Sequence, residues 1–236
     1  MTAVLGIKDF FYVPDKSYDY LAEKSLPYYH EAHHVLVSSL GFKKNQKAEI
    51  IDLGIGTGVT AAYILKNYPK VKVTGTDLFD EMLTGAEVRL KPFANRLTLK
   101  RADNVAYLKT LSQPVDAIVS AFCIHHLDPK GKKQLFRLAF KNLLPGGRFI
   151  MLDLTTFNDP LLKKTSRQST INHMMANVKN KAYQAKWKHH WNNINKPSPA
   201  DMMIQWLREA GFHAEIAFRN GEVAVLVATK RGVPRG

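Results

Sequence analysis

Residues 49–58 read Glu-Ile-Ile-Asp-Leu-Gly-Ile-Gly-Thr-Gly, an apolar run that passes directly into a glycine-rich turn. The apolar part predicts a buried strand, and the amphipathic stretch 59–67 after the turn predicts a helix. Glycines permit a tight turn and let backbone amides approach a ligand closely. Gly54, Gly56 and Gly58 are spaced G-x-G-x-G, one residue shorter than the dinucleotide fingerprint. The stretch therefore predicts a strand, a ligand-binding turn and a helix in succession.

Short apolar runs alternate with amphipathic stretches on both sides of this turn, and the alternation is typical of a doubly wound sheet. The predicted strands are 49–53, 71–76, 97–101, 115–120, 148–154, 213–218 and 222–229. The predicted helices are 18–24, 27–40, 59–67, 81–90, 105–110, 130–142 and one after Ser198, which we expect to cap it. Asn220-Gly221 predicts a tight hairpin between the last two strands. We therefore predict an α/β fold with an antiparallel last strand.

The same pattern predicts one domain, 1–236, made of four consecutive parts. They are an N-terminal helical flap at 1–45, a ligand-binding core at 49–154, a helical lid insertion at 155–197 and a C-terminal helix and hairpin at 198–230. Pro145, Gly146 and Gly147 predict a turn before the fifth strand.

Charge and cysteine content limit the classes of function. The formal net charge is +14, and residues 159–196 carry eight basic residues against one acid, Asp159. This segment is either a solvated face or a surface for polyanions. The single cysteine, Cys123, excludes an internal disulfide and a multi-cysteine metal framework, and we expect no metal. No apolar run reaches eighteen residues and the first twenty residues are unlike a signal peptide, so we expect a cytoplasmic protein without a membrane partner.

Three carboxylates are predicted at the carboxyl ends of successive strands, the edge where open α/β sheets bind ligands. Asp52 ends the first strand, Asp77 ends the second and Asp103 follows the third. Asp77 lies nineteen residues beyond Gly58 and can accept hydrogen bonds from ribose hydroxyls. No Lys or Arg lies between Asp52 and Tyr63, which disfavours a phosphate-binding loop. These acids favour a ligand that carries positive charge.

In combination these residues resemble the class I S-adenosylmethionine-dependent methyltransferases of small-molecule type. The resemblance rests on the segments 52–58, 76–78, 102–103, 115–120, 144–147 and 206–212. It implies a Rossmann-like sheet of seven strands, mostly parallel, and S-adenosyl-L-methionine as the methyl donor. The implied donor contacts are Asp52 to the ammonium group, Gly54, Gly56 and Gly58 to the methionine part, Asp77 to the ribose, and Asp103 and Asn104 to the adenine. Ser120 and Phe122 are expected near the methionine part, and Leu78 and the flap residue Tyr29 are further donor contacts.

The acceptor side is predicted to lie beyond the fourth strand. His125 and His126 are candidates for a general base that deprotonates a hydroxyl or amine, although either histidine can instead pack the next helix. The lid residues are Arg167, Lys186, Trp187, His189, His190 and Trp191, and they suit a small-molecule acceptor that is anionic or aromatic.

Other functions remain open from the sequence. The basic segment with its aromatic residues also suits an RNA methyltransferase, although an N-P-P-Y type motif is absent after the fourth strand. The flap and terminal helix resemble those of carboxy-S-adenosylmethionine synthases, and a non-catalytic donor-binding module is a further alternative.

Overall fold

The computed structural model describes residues 18–232, and within them sixteen helices and strands follow one another. In chain order they are α1 Tyr18–Ser25, α2 Tyr29–Ser38, β1 Ala48–Leu53, α3 Val59–Asn67, β2 Val71–Asp77, α4 Asp80–Leu90, β3 Leu97–Arg101, α5 Asn104–Thr110, β4 Val115–Ala121, α6 Pro129–Lys141, β5 Leu143–Leu154, α7 Pro160–Asn177, α8 Lys181–Asn193, α9 Ala200–Glu209, β6 His213–Asn220 and β7 Val223–Thr229. Short 3₁₀ helices span Lys91–Arg96 and Ile124–His126.

The seven strands form one sheet in the order β3-β2-β1-β4-β5-β7-β6. Strand β7 runs antiparallel to both of its neighbours, β5 and β6, while the pairs among β1 to β5 are parallel. The order reverses at β1, where β2 lies on one side and β4 on the other. A crevice opens at such a reversal, outside the carboxyl ends of the strands. The predicted fold class is confirmed.

Both faces of the sheet are covered, because the strands alternate their buried side chains between two hydrophobic clusters. Ile50 belongs to the cluster under α1, α2, α3, α7 and α8, whereas its neighbour Ile51 belongs to the cluster under α5, α6 and α9. Strands buried on both faces read as continuous apolar runs. This explains why β7 is apolar from Val223 to Ala228.

Two local predictions are wrong. The strand β5 begins at Leu143 rather than at residue 148, and residues 144–147 form a bulge opposite the single residue Asp116. The helix α9 is preceded by Pro199, which offers no side-chain cap, and the Ser198 hydroxyl instead accepts a hydrogen bond from Lys132 Nζ at 3.0 Å. In both places a tertiary contact outweighs the local pattern.

The flap and the lid predicted from the sequence are both helical where they are described. The flap contributes α1 and α2, and its residues 1–17 lie outside the described residues. The lid contributes α7 and α8, and α1 packs against α7. Among residues 18–232 no helix is long and apolar enough to cross a membrane.

Candidate functional site

The larger of two adjacent cavities, here called the first cavity, lies at the carboxyl ends of β1 to β4 and is covered by α1 and α2. It encloses about 170 Å³. Its lining includes the predicted residues Tyr29, Gly54, Gly56, Asp77, Leu78, Asp103, Asn104, Phe122 and His126, together with Tyr18, Asp19, Ala22, Leu26, His33, Ile55, Thr57, Val59, Thr60, Phe79, Met82, Ala121, Cys123 and Leu127. The turn, the strand ends and the flap predicted from the sequence therefore meet in one place.

The glycine turn adopts a backbone that side chains disfavour. Gly54, Gly56 and Gly58 have φ angles of 69°, 55° and 83°. A Cβ at Gly54 would lie 2.2 Å from Cys123 Sγ, whereas a Cβ at Gly56 would meet no protein atom within 4 Å. Gly54 is thus required by packing within the protein. Gly56 borders open space in the first cavity, so its missing side chain leaves room for a ligand.

Asp77 fixes the turn from the neighbouring strand end. Its Oδ2 accepts a hydrogen bond from the backbone N–H of Gly56 at 3.0 Å, and its Oδ1 accepts one from that of Phe79 at 3.1 Å. Burial raises the pKa of this carboxyl above its ordinary value, and the backbone donors partly counter that rise. Each carboxylate oxygen can accept more than one hydrogen bond, so Asp77 can hold the turn and a ligand together.

Asp103 and Asn104 carry structural contacts as well as lining the cavity. Asp103 caps α5 by accepting a hydrogen bond from the backbone N–H of Ala106 at 2.8 Å. The side chain of Asn104 accepts a hydrogen bond from the Thr76 hydroxyl at 3.1 Å and donates one to Cys123 Sγ at 3.3 Å. The helix-cap role does not remove Asp103 from the lining, since the second oxygen of its carboxylate remains available to a ligand.

Three residues predicted to contact the donor do not line the first cavity. Ser120 is buried and its hydroxyl donates to Leu53 O at 2.8 Å. Gly58 packs against Leu90 instead. Asp52 is 1% exposed at the end of β1, and its Oδ2 has no hydrogen-bond partner in the described part of the chain. Burial, with a smaller effect of Asp77, raises the pKa of Asp52 to about 7. An uncompensated buried carboxylate beside the glycine turn suits a nearby cationic group.

The flap is tied to the glycine turn by a contact that the sequence analysis missed. Asp19, on α1, accepts hydrogen bonds from the Thr57 hydroxyl and from the Arg89 guanidinium. Arg89 also donates through Nε to Thr57 O at 2.9 Å. Thr57 and Arg89 lie 38 and 70 positions from Asp19 in the chain. No local motif marks such a contact; the acid in the first turn of α1 is its only sign in the sequence.

Aromatic side chains separate the first cavity from the smaller cavity next to it. Tyr29 is 9% exposed and stacks on Phe122, with ring centroids 5.7 Å apart and an angle of 8° between the planes. Phe122 has a φ of 50°, a strained backbone for a bulky residue. His33 donates from Nδ1 to Tyr29 O at 2.7 Å, and burial lowers the pKa of His33 to about 4. His33 was not predicted as a lining residue.

The smaller cavity, here called the second cavity, encloses about 50 Å³ between α1, α8 and the 3₁₀ turn Ile124–His126. It shares Tyr18, Ala22, Leu26, Phe122 and His126 with the first cavity, and its other lining residues are Ser25, His125, Leu154, Tyr183, Trp187, His190, Trp191 and Asn195. Trp187 and Trp191 stack with centroids 4.4 Å apart. The two cavities therefore meet at a shared wall that Phe122 and His126 help to form.

His125 and His126 have different surroundings. His125 donates from Nδ1 to Asp153 Oδ1 at 2.5 Å, and its backbone N–H donates to Asp153 Oδ2 at 2.9 Å. Both members of this pair are buried. His126 lines both cavities, and burial, followed by the nearby charges of His125 and His190, lowers its pKa well below the ordinary value. The structure thus places both predicted histidines at the second cavity, with only His125 oriented by a carboxylate.

The lid residues predicted to select an acceptor divide into two groups. Trp187, His190 and Trp191 line the second cavity. Arg167, Lys186 and His189 do not, and Arg167 instead lies over the Trp191 ring at 4.5 Å. Among the described residues, the lining of both cavities contains no Lys or Arg. The basic residues of the lid therefore do not offer a charge to an anionic acceptor in either cavity.

Comparison with known proteins agrees with this arrangement. A family model described as "Methyltransferase domain" matches residues 50–147. A ubiquinone/menaquinone biosynthesis C-methyltransferase from Syntrophotalea carbinolica is 34% identical over 114 residues, which are 48% of this chain and 46% of that protein. A carboxy-S-adenosyl-L-methionine synthase from Nautilia profundicola is 22% identical over 214 residues, 90% of each chain.

Solved structures share the fold. An O-methyltransferase family protein from Burkholderia thailandensis superimposes with a TM-score of 0.65 at 18% sequence identity, covering 86% of this chain and 56% of that one. The chain thus spans about half the length of that structure and less than half of the Syntrophotalea relative. At this identity the likeness shows the fold alone.

Proposed function

The chain belongs to the class I S-adenosylmethionine-dependent methyltransferases, and on that premise we propose that it methylates an oxygen or nitrogen of an uncharged aromatic small molecule. The observation that carries this proposal is the pair of adjoining cavities. One has the turn and acids expected for the donor, and the other has aromatic walls and two histidines. The cavities share lining residues, Phe122 and His126 among them, so the methyl group would be transferred where the two cavities adjoin.

The first cavity suits the donor that the family uses. S-adenosylmethionine carries a sulfonium, an ammonium and one carboxylate, so a site with acids and without basic side chains favours it over a nucleotide phosphate. We infer that Asp77 with Leu78 holds the ribose and that Asp103 with Asn104 holds the adenine. Asp52, buried behind the glycine turn, would favour the ammonium group through charge or a bridging water.

The second cavity suggests the class of acceptor. Its aromatic walls suit a flat ring, and the absence of Lys and Arg from its described lining disfavours an anion. We infer that His125 or His126 receives the proton when the acceptor has one to lose. Methyl transfer is an in-line attack on the donor methyl, so positioning by these walls supplies much of the rate.

The test is turnover with radiolabelled donor against two matched panels, uncharged phenols and aromatic amines on one side and their carboxylated analogues on the other. We expect product only with the uncharged panel. The Trp187→Ala variant should raise the acceptor KM about tenfold, since it removes a stacked wall. Its affinity for S-adenosylhomocysteine should stay unchanged, which shows that the variant is folded. Turnover of the carboxylated panel alone would refute the proposed acceptor class.

A carboxy-S-adenosylmethionine synthase-like activity is a second candidate, because relatives of that name align over 90% of this chain. A carboxylate on the methyl group of the donor would need a cation where the two cavities meet. The described lining residues there include no Lys or Arg, which argues against that activity. Mass spectrometry of the nucleotide that co-purifies with the protein decides between the two: a carboxylated donor would establish the synthase.

An RNA acceptor has weaker support. Lys179, Lys181 and Lys188 are exposed on or beside α8 and none of them lines a cavity. An exposed basic face is compatible with solvent or with phosphate groups.

A further inference from the structure

The second cavity contains a cluster of three imidazoles from two distant parts of the chain. His125 and His126 belong to the 3₁₀ turn after β4, and His190 lies on α8 in the lid. One ring nitrogen from each of the three lies within 4.8 Å of the others. The ring centroids of His125 and His126 are 4.1 Å apart, and those of His126 and His190 are 5.2 Å apart and nearly perpendicular. This spacing brings three metal-ligating nitrogens to one wall.

One member of the cluster is oriented by a carboxylate. The contact of His125 Nδ1 with Asp153 fixes the ring and its tautomer, and it leaves Nε2 as the nitrogen for a ligand. A carboxylate on the far nitrogen of a histidine is the arrangement that orients metal-bound imidazoles and makes them more basic. Asp153 is 1% exposed, so the pair is isolated from water. The geometry is one that a metal site requires.

A second, independent observation concerns His126. Its Nδ1 is buried and makes no hydrogen bond within the described part of the chain. A buried nitrogen without a partner costs free energy unless a ligand or water completes it. Because His126 also lines the junction of the two cavities, a group bound to this nitrogen would lie where the acceptor is expected. The orphaned nitrogen therefore points to a missing ligand at the cluster.

The charges around the cluster limit how tightly an ion can bind there. Asp153 supplies the buried negative charge next to the histidines, while Lys132 and Lys196 are positive groups close to His126. The Lys132 ammonium is turned away, because it donates to Lys196 O and to the Ser198 hydroxyl. With three neutral ligands and two nearby ammonium groups, we expect exchangeable binding, weaker than at a closed thiolate site.

We propose that His125, His126 and His190 together bind a divalent transition-metal ion, with a coordination position left open toward the second cavity. Three imidazoles with an open position suit zinc and its neighbours cobalt and nickel. The inference goes beyond the proposed methyl transfer and does not depend on it. An ion here would bind the acceptor oxygen or nitrogen and favour its deprotonated form, whereas in the metal-free protein the imidazoles keep their proposed role as proton acceptors.

The test is titration of tag-free, chelator-treated protein with Co²⁺, followed by its visible absorption, with the bound metal counted by elemental analysis. The wild-type protein should bind one ion. His126→Ala and His190→Ala should each weaken binding about tenfold or more. The matched control is His189→Ala, an exposed histidine next to His190 on the same helix, and it should leave the affinity unchanged.

Affinity for S-adenosylhomocysteine, measured on His190→Ala and His189→Ala, shows that the donor site and the fold are intact. Thermal unfolding checks the fold of His126→Ala, because His126 also lines the first cavity. If wild-type protein binds no stoichiometric Co²⁺, or if the His189→Ala change weakens binding as much as the other two, the metal site is wrong. Neither result changes the outcome of the methyl-transfer assay, because that assay contains no added metal. Failure of the metal site and failure of the proposed function are therefore separately visible.

Discussion

The two cavities differ in how the chain builds them. The first is formed mainly by backbone turns and side chains at strand ends between residues 52 and 123, where each element directly follows the previous one. The second is formed by side chains from α1, the turn Ile124–His126 and α8, which are far apart in sequence. On the proposed assignment, the strand ends and turns of the core hold the donor, and the helices of the lid shape the acceptor space.

The Gly56→Val substitution should reduce affinity for S-adenosylhomocysteine about 100-fold, because the added side chain would occupy ligand space at a cost of about 3 kcal/mol. The matched control is Gly146→Val. Both glycines have positive φ and both would point a Cβ into open space, but Gly146 lies in the β5 bulge, away from the cavities. Calorimetry on both variants makes the comparison. Equal affinities in the two variants would remove the glycine turn from the donor site.

Asp77→Ala should also abolish most donor binding, since it removes both the proposed ribose acceptor and the hydrogen bonds that hold Gly56 and Phe79. Asp80→Ala is the control, because Asp80 forms an exposed ion pair with Arg101 at the start of α4. Such surface pairs contribute little to stability. A near-normal affinity for S-adenosylhomocysteine in Asp77→Ala would contradict the assignment.

The pH dependence of donor binding tests the buried carboxyl behind the turn. The raised pKa of Asp52, about 7, means that the free protein holds this group partly protonated at neutral pH. A cationic donor favours the ionised form, so affinity should rise with pH, by up to about tenfold between pH 6 and pH 8. In Asp52→Asn the rise should be lost. An identical rise in both proteins would mean that Asp52 does not respond to the donor.

Substitutions of Tyr29 test the first-cavity side of the wall, where Tyr29 stacks on Phe122. Tyr29→Ala removes its stacking on Phe122, worth about 1 kcal/mol, and should weaken donor binding about fivefold. Tyr29→Phe keeps the ring and should have little effect. Tyr20→Ala, at an exposed position of α1 that lines neither cavity, is the control. If Tyr29→Phe and Tyr29→Ala both bind the donor as tightly as the wild-type protein does, Tyr29 is not a donor contact.

The smallest effect is expected from the basic face of the lid. Replacing Lys179, Lys181 and Lys188 by glutamine should change acceptor kinetics less than about twofold, because these charges are exposed to solvent and line neither cavity. Binding to single-stranded RNA is measured on the same protein. A large loss of RNA binding, with turnover of an RNA acceptor by the wild-type protein, would favour the RNA methyltransferase alternative.

The lining of the first cavity was easier to predict from the sequence than the lining of the second. The order of strands and the lining positions of Gly54, Gly56, Asp77 and Asp103 were predictable, because they are set by local turns and by strand ends that meet at one edge. Ser120 was predicted to contact the donor, but its hydroxyl is used by Leu53 O. A strand-end position fixes where a residue lies and does not fix which partner its side chain selects.

On the acceptor side the missed contacts were long-range. His190 lies 64 positions beyond His126, and no spacing rule links a turn after β4 to a helix of the lid. Asp153 lies near the end of β5, and its pairing with His125 depends on β4 and β5 being adjacent. Side chains that meet only after the lid has packed leave no local signal, so the three-histidine cluster was not predicted.

The most direct test of the central claim is a crystal structure of the protein with S-adenosylhomocysteine bound. The account predicts that the nucleoside lies against Asp77 and Asp103 in the first cavity and that the sulfur faces the wall of Phe122 and His126, toward the second cavity. A sulfur directed away from that wall, with the second cavity sealed from it, would contradict the division into donor and acceptor cavities.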